Sequence, residues 1–279
     1  MRGAKAMYGA ILGDIIGSPY EWNSTNTKDF PLFRKNSRFT DDTMMTIAVA
    51  EALISLDKAA EEFDVFNTTA QSMRKWGNRT NNSGYSTAFR KWLKSDNPHP
   101  YKSCGNGSAM RVSAAGWLYD DIYHTREVAR WTAEVTHNHS EGIKGAESVA
   151  VAIYLARNGK SKGEIKEYVE REFSYDLSRT VEGIRENYQF EASCQKSVPE
   201  SIIAFLEAED FESAIRNAIW LGGDADTQAD IAGSIAESFY GIPENLVTEC
   251  RKRLPNEMCE VIDKFYKLIG GANIIGASI

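Results

Sequence analysis

The sequence has 279 residues, of which 42% are hydrophobic and 25% are charged, and its formal net charge is −7 at pH 7. This is the composition of a soluble globular protein, and no apolar stretch is long enough to span a bilayer. The negative charge argues against general affinity for nucleic acid or for anionic membranes. The four cysteines show no CxxC pair and no metal-ligand spacing, so we expect a reduced, cytoplasmic setting.

The first predicted element is a buried helix over residues 7 to 19. It is not a signal peptide, because Asp14 interrupts the apolar run and no small-residue cleavage site follows. Small residues on one face, including Gly13 and Gly17, would let another helix approach closely. Asp14 either caps a neighbouring helix or hydrogen-bonds to metal ligands. Glu21, at the helix exit, is by itself typical of a solvated loop.

The first acidic cluster follows a polar loop over residues 23 to 39. Thr40, Asp41 and Asp42 precede or open a helix over residues 41 to 57, which is apolar nearly all round and therefore predicted to be buried.

Two more helices are predicted before the next motif. One covers residues 58 to 79, and the other is the short segment TAFRKWLKS, preceded by the loop NRTNNSGYS. Their inward positions are expected to be Phe63, Phe66, Met73 and Trp76 in the first helix, and Phe89 and Trp92 in the second.

A glycine-rich segment, CGNGSAMRVSAAGWLY, covers residues 104 to 119. Gly105, Asn106 and Gly107 predict a loop whose backbone can approach a ligand closely. Ser108 could cap the helix that follows, and the free N–H groups there could bind an anion. The same pattern is also common in simple turns.

Two histidines, His137 and His139, precede a long apolar helix. Imidazoles can ligate zinc, but this spacing in a loop is weak evidence for a zinc site. Contact with a ligand or with the backbone fits better beside a cluster of carboxylates and hydroxyls.

The second acidic cluster lies in LGGDADTQADIAGSIAESFY, residues 221 to 240. Asp224, Asp226 and Thr227 stand where a glycine loop enters a helix with a clear apolar face. Helix capping explains either acidic cluster alone. Together, Asp41, Asp42, Asp224 and Asp226 bring four carboxylates to one place, and two divalent cations would balance them. Oxygen ligands favour Mg²⁺, Mn²⁺ or Ca²⁺.

Helices follow one another throughout, without linkers or repeats, and the two acidic clusters must meet in space. We therefore predict one all-α domain over residues 1–279.

Three segments, FTDDTMMTIAVAEAL, GNGSAMRVSAAGW and LGGDADTQADIAGSIAESFYG, resemble the signature segments of the ADP-ribosylglycohydrolase family. The resemblance runs from GAILGDIIGSPYEW to YGIP and covers nearly the whole chain. It implies a compact orthogonal helical bundle, a dinuclear Mg²⁺ or Mn²⁺ centre, and hydrolysis of the bond between ribose C1″ of ADP-ribose and an acceptor. An ADP-ribosylated protein or another ADP-ribosylated acceptor is the implied partner, ADP-ribose is the implied product, and we expect a monomer.

The resemblance also implies residue roles. Glu21 matches a glutamate that gates or positions substrate, and Asp41 or Glu21 would transfer a proton. Tyr85 matches a position beside the acceptor, where Ser86 departs from the family's second glycine. The implied metal ligands are Thr40, Asp41, Asp42, Asp224, Asp226 and Thr227. The implied ADP-ribose contacts are Gly105, Asn106, Gly107, Ser108, Met110 and His139.

Two other classes of function remain open. A binding or structural protein could keep this fold without activity, and a metal-dependent phosphohydrolase could cut the diphosphate instead. The products separate them: ADP-ribose indicates glycosidic cleavage, and AMP with ribose phosphate indicates phosphate cleavage.

Overall fold

The structure is a computed structural model that describes residues 6–79 and 84–275, with side chains as far as Gly270. In these residues the regular elements are helices and no strand is formed, which confirms the all-α prediction. The extent of a single domain over residues 1–279 stays a prediction. The helices are α1 (Tyr8–Gly17), α2 (Asp41–Ile54), α3 (Glu62–Gly77), α4 (Thr87–Lys94), α5 (Gly107–Met110), α6 (Ser113–Leu118), α7 (Ile122–Glu134), α8 (Ser140–Arg157), α9 (Lys162–Phe173), α10 (Val181–Arg185), α11 (Cys194–Leu206), α12 (Phe211–Leu221), α13 (Ala225–Tyr240), α14 (Glu244–Arg251) and α15 (Asn256–Ile275).

Helices α1 and α13 form the central pair, and every residue of α1 is buried. Glycines repeat along α1 where its backbone touches α13. A Cβ on Gly9 would lie 2.2 Å from the Gly233 oxygen, and one on Gly13 would lie 2.1 Å from the Ala229 oxygen. Only glycine permits this approach. The predicted small-residue face is therefore confirmed, and it brings the N-terminus of α13 against the end of α1.

Around this pair, α12, α11 and α8 pack on α13, while α2 packs on α1 and α3. Helix α2 is buried over most of its length, as its apolar sequence predicted. The interior is one cluster of apolar side chains that joins all these helices. This arrangement points the N-termini of α2 and α13 toward each other.

One predicted inward position is wrong. Phe63 is 77% exposed, whereas Met73 and Trp76 on the same helix are buried. Val65, in the same first turn, is fully buried and belongs to the inward face with Met73 and Trp76, so Phe63 lies on the outward face of α3. Within the described ranges, no helix is both long and apolar enough to cross a bilayer.

Candidate active site

The two acidic clusters meet, as the sequence predicted. Asp41 and Asp42 occupy the first turn of α2, and Asp226 and Thr227 occupy that of α13. The Thr227 hydroxyl donates to Asp42 Oδ1 at 2.8 Å, across 185 positions of sequence. Two helix N-termini therefore share one buried acidic centre.

The carboxylates form two groups that share Asp226. One group is Asp14, Asp42 and Asp226, and the other is Glu21, Asp224 and Asp226. In each group, one carboxylate oxygen from every residue lies within 4.8 Å of those from the others. In the described part of the chain, no lysine, arginine or histidine forms an ion pair with these side chains. Buried like charges without counter-charge favour cation binding, and oxygen-only donors fit Mg²⁺ or Mn²⁺.

Asp14 holds the start of α2 in place. Its Oδ2 accepts from the backbone N–H groups of Thr40 and Thr43, at 2.8 and 3.0 Å, and from the Thr43 hydroxyl at 2.5 Å. Its Oδ1 accepts from the Thr40 hydroxyl at 2.8 Å. The capping interpretation of Asp14 is thus confirmed. Because Oδ2 already accepts three hydrogen bonds, Asp14 is better suited to orienting Thr40 and Thr43 at the start of α2 than to binding a cation directly.

Two carboxyl groups of the centre have pKa values near neutrality. Burial, followed by the charge of Asp224, raises the pKa of Glu21 from 4.5 to about 7. Burial, followed by the charge of Asp14, raises the pKa of Asp41 from 3.8 to about 8. Such values suit proton transfer near pH 7. Cations bound nearby would lower both.

A cavity of about 300 Å³ opens above this centre, which is within the usual range for ligand sites. Three predicted site residues, Thr40, Ser108 and His139, do not line it. The predicted residues that do line it are Glu21, Asp41, Asp42, Tyr85, Gly105, Asn106, Gly107, Met110, Asp224, Asp226 and Thr227.

The glycine-rich loop forms one wall of the cavity and is tied to the acidic centre. Asn106 Nδ2 donates to Asp224 Oδ2 at 2.8 Å, and the backbone of Gly105 pairs with Ser193 in an isolated bridge. The expected cap by Ser108 is wrong. Ser108 lies inside the four-residue helix α5, and its hydroxyl donates to the Gly142 oxygen at 2.7 Å.

The histidine at the cavity is His137. It lines the wall beside Gly107, and burial followed by the charge of Arg111 holds its pKa well below the usual 6.5. His139 is exposed at the N-cap of α8, where its Nδ1 accepts from the Glu141 N–H at 3.1 Å. The two-residue spacing did not reveal which imidazole turns inward.

The cavity mouth contains residues that the sequence motifs did not predict. Trp22, 74% exposed, and Phe190, 48% exposed, stack there with ring centroids 4.9 Å apart. A Cβ on Gly84 would lie 2.1 Å from Asp41 Oδ1, so the backbone at Gly84 covers that carboxylate. Trp22 could have been predicted from the sequence, because it directly follows the candidate residue Glu21. Phe190 could not, because it lies in a loop without a motif.

Comparisons with known proteins identify the family to which the chain belongs. The model of the ADP-ribosylglycohydrolase family matches residues 1–273. The chain is 29% identical to mouse (Mus musculus) ADP-ribosylhydrolase ARH3, covering 87% of this chain and 85% of that protein. It is 24% identical to ADP-ribosyl-[dinitrogen reductase] glycohydrolase of Rhodospirillum rubrum, covering 96% of this chain and 97% of that protein. A solved structure titled ADP-ribosylglycohydrolase-related protein complex superposes with a TM-score of 0.72 at 23% identity, covering 96% of this chain and 98% of that one. The chain therefore belongs to the ADP-ribosylglycohydrolase family.

Proposed function

We propose that this protein is a metal-dependent hydrolase that cleaves the glycosidic bond between C1″ of ADP-ribose and an acceptor, releasing ADP-ribose. The observation that carries the proposal is one cavity that is lined both by carboxylates of the acidic centre and by residues of the Gly105–Met110 loop. Membership of the family supports the same reaction class.

Two divalent cations, Mg²⁺ or Mn²⁺, would be held by the acidic centre. Asp42 and Asp226 would bind one, and Asp224 and Asp226 would bind the other, with the Glu21 carboxylate beside the second. Asp41, Thr40 and Thr227 supply further oxygens close by. When bound, the cations would neutralise the carboxylates and polarise the ribose hydroxyls and water.

The loop and the acidic centre divide the recognition of ADP-ribose between them. Gly105 and Gly107 allow the backbone to approach a diphosphate, and Met110 adds an apolar contact. Asn106 joins the two parts, because its amide nitrogen is bound to Asp224. The distance between the acidic centre and the loop is thereby kept constant, which orients C1″ for attack.

Proton transfer is assigned to Asp41 and Glu21. One of them takes the proton of the attacking water, and the other protonates the departing acceptor as positive charge develops on the ribose. Both carboxylates line the cavity, where they can reach the attacking water and the departing acceptor.

The products of the reaction test the proposal. The protein should be incubated with Mg²⁺ or Mn²⁺ and with peptides ADP-ribosylated on arginine or on serine, and the products identified by mass spectrometry. ADP-ribose and the unmodified peptide are expected from at least one substrate. AMP with phosphoribosyl peptide would mean cleavage of the diphosphate instead, and no product from any substrate would favour a binding protein.

Substitution of Glu21 tests its role. Glu21→Gln should retain bound metal while kcat falls by about 10²–10⁴-fold, the usual effect of removing a proton-transfer group. The control is Glu167→Gln on the exposed face of α9, which should behave as wild type. Loss of metal in Glu21→Gln, to the extent seen in Asp226→Ala, would reassign Glu21 as an essential ligand.

A further inference from the structure

A buried arginine beside the cavity has no carboxylate partner among the described residues. Arg111 is 1% exposed, and its Nη1 donates to the Gly107 oxygen at 2.9 Å. Its Nη2 donates to the Thr132 oxygen at 3.2 Å and to Thr136 Oγ1 at 3.0 Å. The Thr132 oxygen belongs to the last turn of α7, whose negative dipole end stabilises a cation. Arg111 is therefore held by neutral acceptors and by a helix end.

The hydroxyl of Thr136 links Arg111 to His137 by hydrogen bonds. Its Oγ1 lies 2.7 Å from His137 Nδ1, and Thr136 is fully buried. A guanidinium has only donors, so Thr136 must accept from Arg111. The one hydrogen of Thr136 then satisfies His137 Nδ1. If Nδ1 carried the hydrogen instead, the Thr136 hydrogen would lack an acceptor in a buried place.

The other ring nitrogen of His137 faces the glycine-rich loop. Nε2 is 3.2 Å from where a Cβ on Gly107 would lie, and 3.6 Å from that on Gly105. In the described part of the chain, nothing accepts a hydrogen bond from Nε2, and the ring lines the cavity. The nearby charge of Arg111 also disfavours the imidazolium form.

We propose that Arg111 and Thr136 are positioning residues that hold His137 as a neutral imidazole with its hydrogen on Nε2, directed at an anionic phosphate oxygen beside Gly107. The inference rests on the proposed function for the identity of the ligand, the diphosphate of ADP-ribose. The arrangement of donors is a property of the free protein. It can be measured without any turnover.

The test combines the tautomer of His137 with the affinity for ADP-ribose. ¹⁵N NMR of the metal-loaded protein should show a protonated Nε2 and an unprotonated Nδ1 for His137, with the signal assigned by its loss in His137→Gln. Thr136→Ser, which keeps the hydroxyl, should preserve this pattern. Thr136→Val should populate the Nδ1–H form and weaken ADP-ribose binding about tenfold, the effect of losing one hydrogen bond to a charged group.

A matched control removes another buried hydroxyl from the same region. Thr125 lies in α7, and its hydroxyl donates to the Asp121 oxygen at 2.8 Å. Thr125→Val should leave both the His137 tautomer and the ADP-ribose affinity unchanged. A wild-type His137 with its hydrogen on Nδ1, or a tautomer unaffected by Thr136→Val, would overturn the inference. If wild type shows the expected tautomer but does not bind ADP-ribose, the proposed function is wrong, whereas the positioning of His137 by Arg111 and Thr136 is supported.

Discussion

Asp230 provides the sharpest test of how this protein accommodates buried charge. It lies one turn beyond Asp226 on α13 and is fully buried, and neither carboxylate oxygen has a hydrogen-bond partner among the described residues. Burial, followed by the charge of Asp14, raises its pKa well above the usual 3.8. Each unsatisfied buried polar group costs about 1–3 kcal/mol. Asp230→Leu, with a side chain of the same branched shape, should therefore stabilise the protein by about 2 kcal/mol relative to the protonated, unpaired carboxyl.

The sign of the pH dependence follows from the raised pKa. Above the unfolded pKa of about 3.9, the unfolded chain releases a proton that the native state retains, so native stability falls as pH rises toward the folded pKa. The advantage of Asp230→Leu should thus grow with pH, by at most about 1.4 kcal/mol per pH unit. Asp230→Asn removes the titration but keeps an unsatisfied polar group. Relative to wild type, it should show the same pH-dependent gain, which is already about 1.5 kcal/mol at pH 5, but it should lack the gain of about 2 kcal/mol from removing the unsatisfied group.

Thermal denaturation with excess Mg²⁺ at pH 5 and pH 8 measures these differences. A gain of about 2 kcal/mol corresponds to a rise in Tm of roughly 4–8 °C for a chain of this size. If both variants instead lose stability at pH 8 and release Mg²⁺, Asp230 is compensated by a cation in the native protein, and the reasoning from an unpaired carboxyl is refuted.

Three further predictions concern the acidic centre and the loop. Exhaustive chelation should abolish activity and lower thermal stability, because the buried carboxylates lose their counter-charge, and Mg²⁺ or Mn²⁺ should restore both. Gly84→Ala should lower kcat roughly tenfold or more, because the new Cβ would collide with Asp41 Oδ1. The control is Gly159→Ala, which is also at positive φ but has open space around it. It should cost about 1–2 kcal/mol of stability and leave kcat unchanged. Gly107→Val should weaken ADP-ribose binding in calorimetry while metal content is retained, because its Cβ would lie 3.2 Å from His137 Nε2.

Each of these has a result that contradicts it. Full activity after chelation would exclude an essential metal centre. Equal losses of kcat in the two alanine variants would attribute the effect to backbone strain and not to contact with Asp41. Unchanged affinity for ADP-ribose in Gly107→Val would mean that the glycine-rich segment is only a turn.

Local patterns in the sequence were enough to predict the helices and the acidic centre. Apolar residues spaced three and four apart identified α13, because that spacing places them on one helical face, and a run that is apolar nearly all round identified α2 as a buried helix. Aspartates and threonines before such faces marked two helix N-termini. Glycines along α1 predicted a close helix contact, because a residue without a Cβ lets another backbone approach, whichever helix that backbone belongs to.

Contacts between distant parts of the chain were decided only by the tertiary structure. Which of the two histidines lines the cavity was not evident from the sequence; His137 does so, held by hydrogen bonds that connect it to Thr136 and Arg111. Phe190 stacks on Trp22 from a loop that carries no motif. The unpaired carboxyl of Asp230 is likewise invisible in a helical pattern. The physical reason is that periodicity records which side of an element is apolar, whereas a hydrogen bond or a stacked ring pair depends on the position and direction of individual atoms brought together by packing.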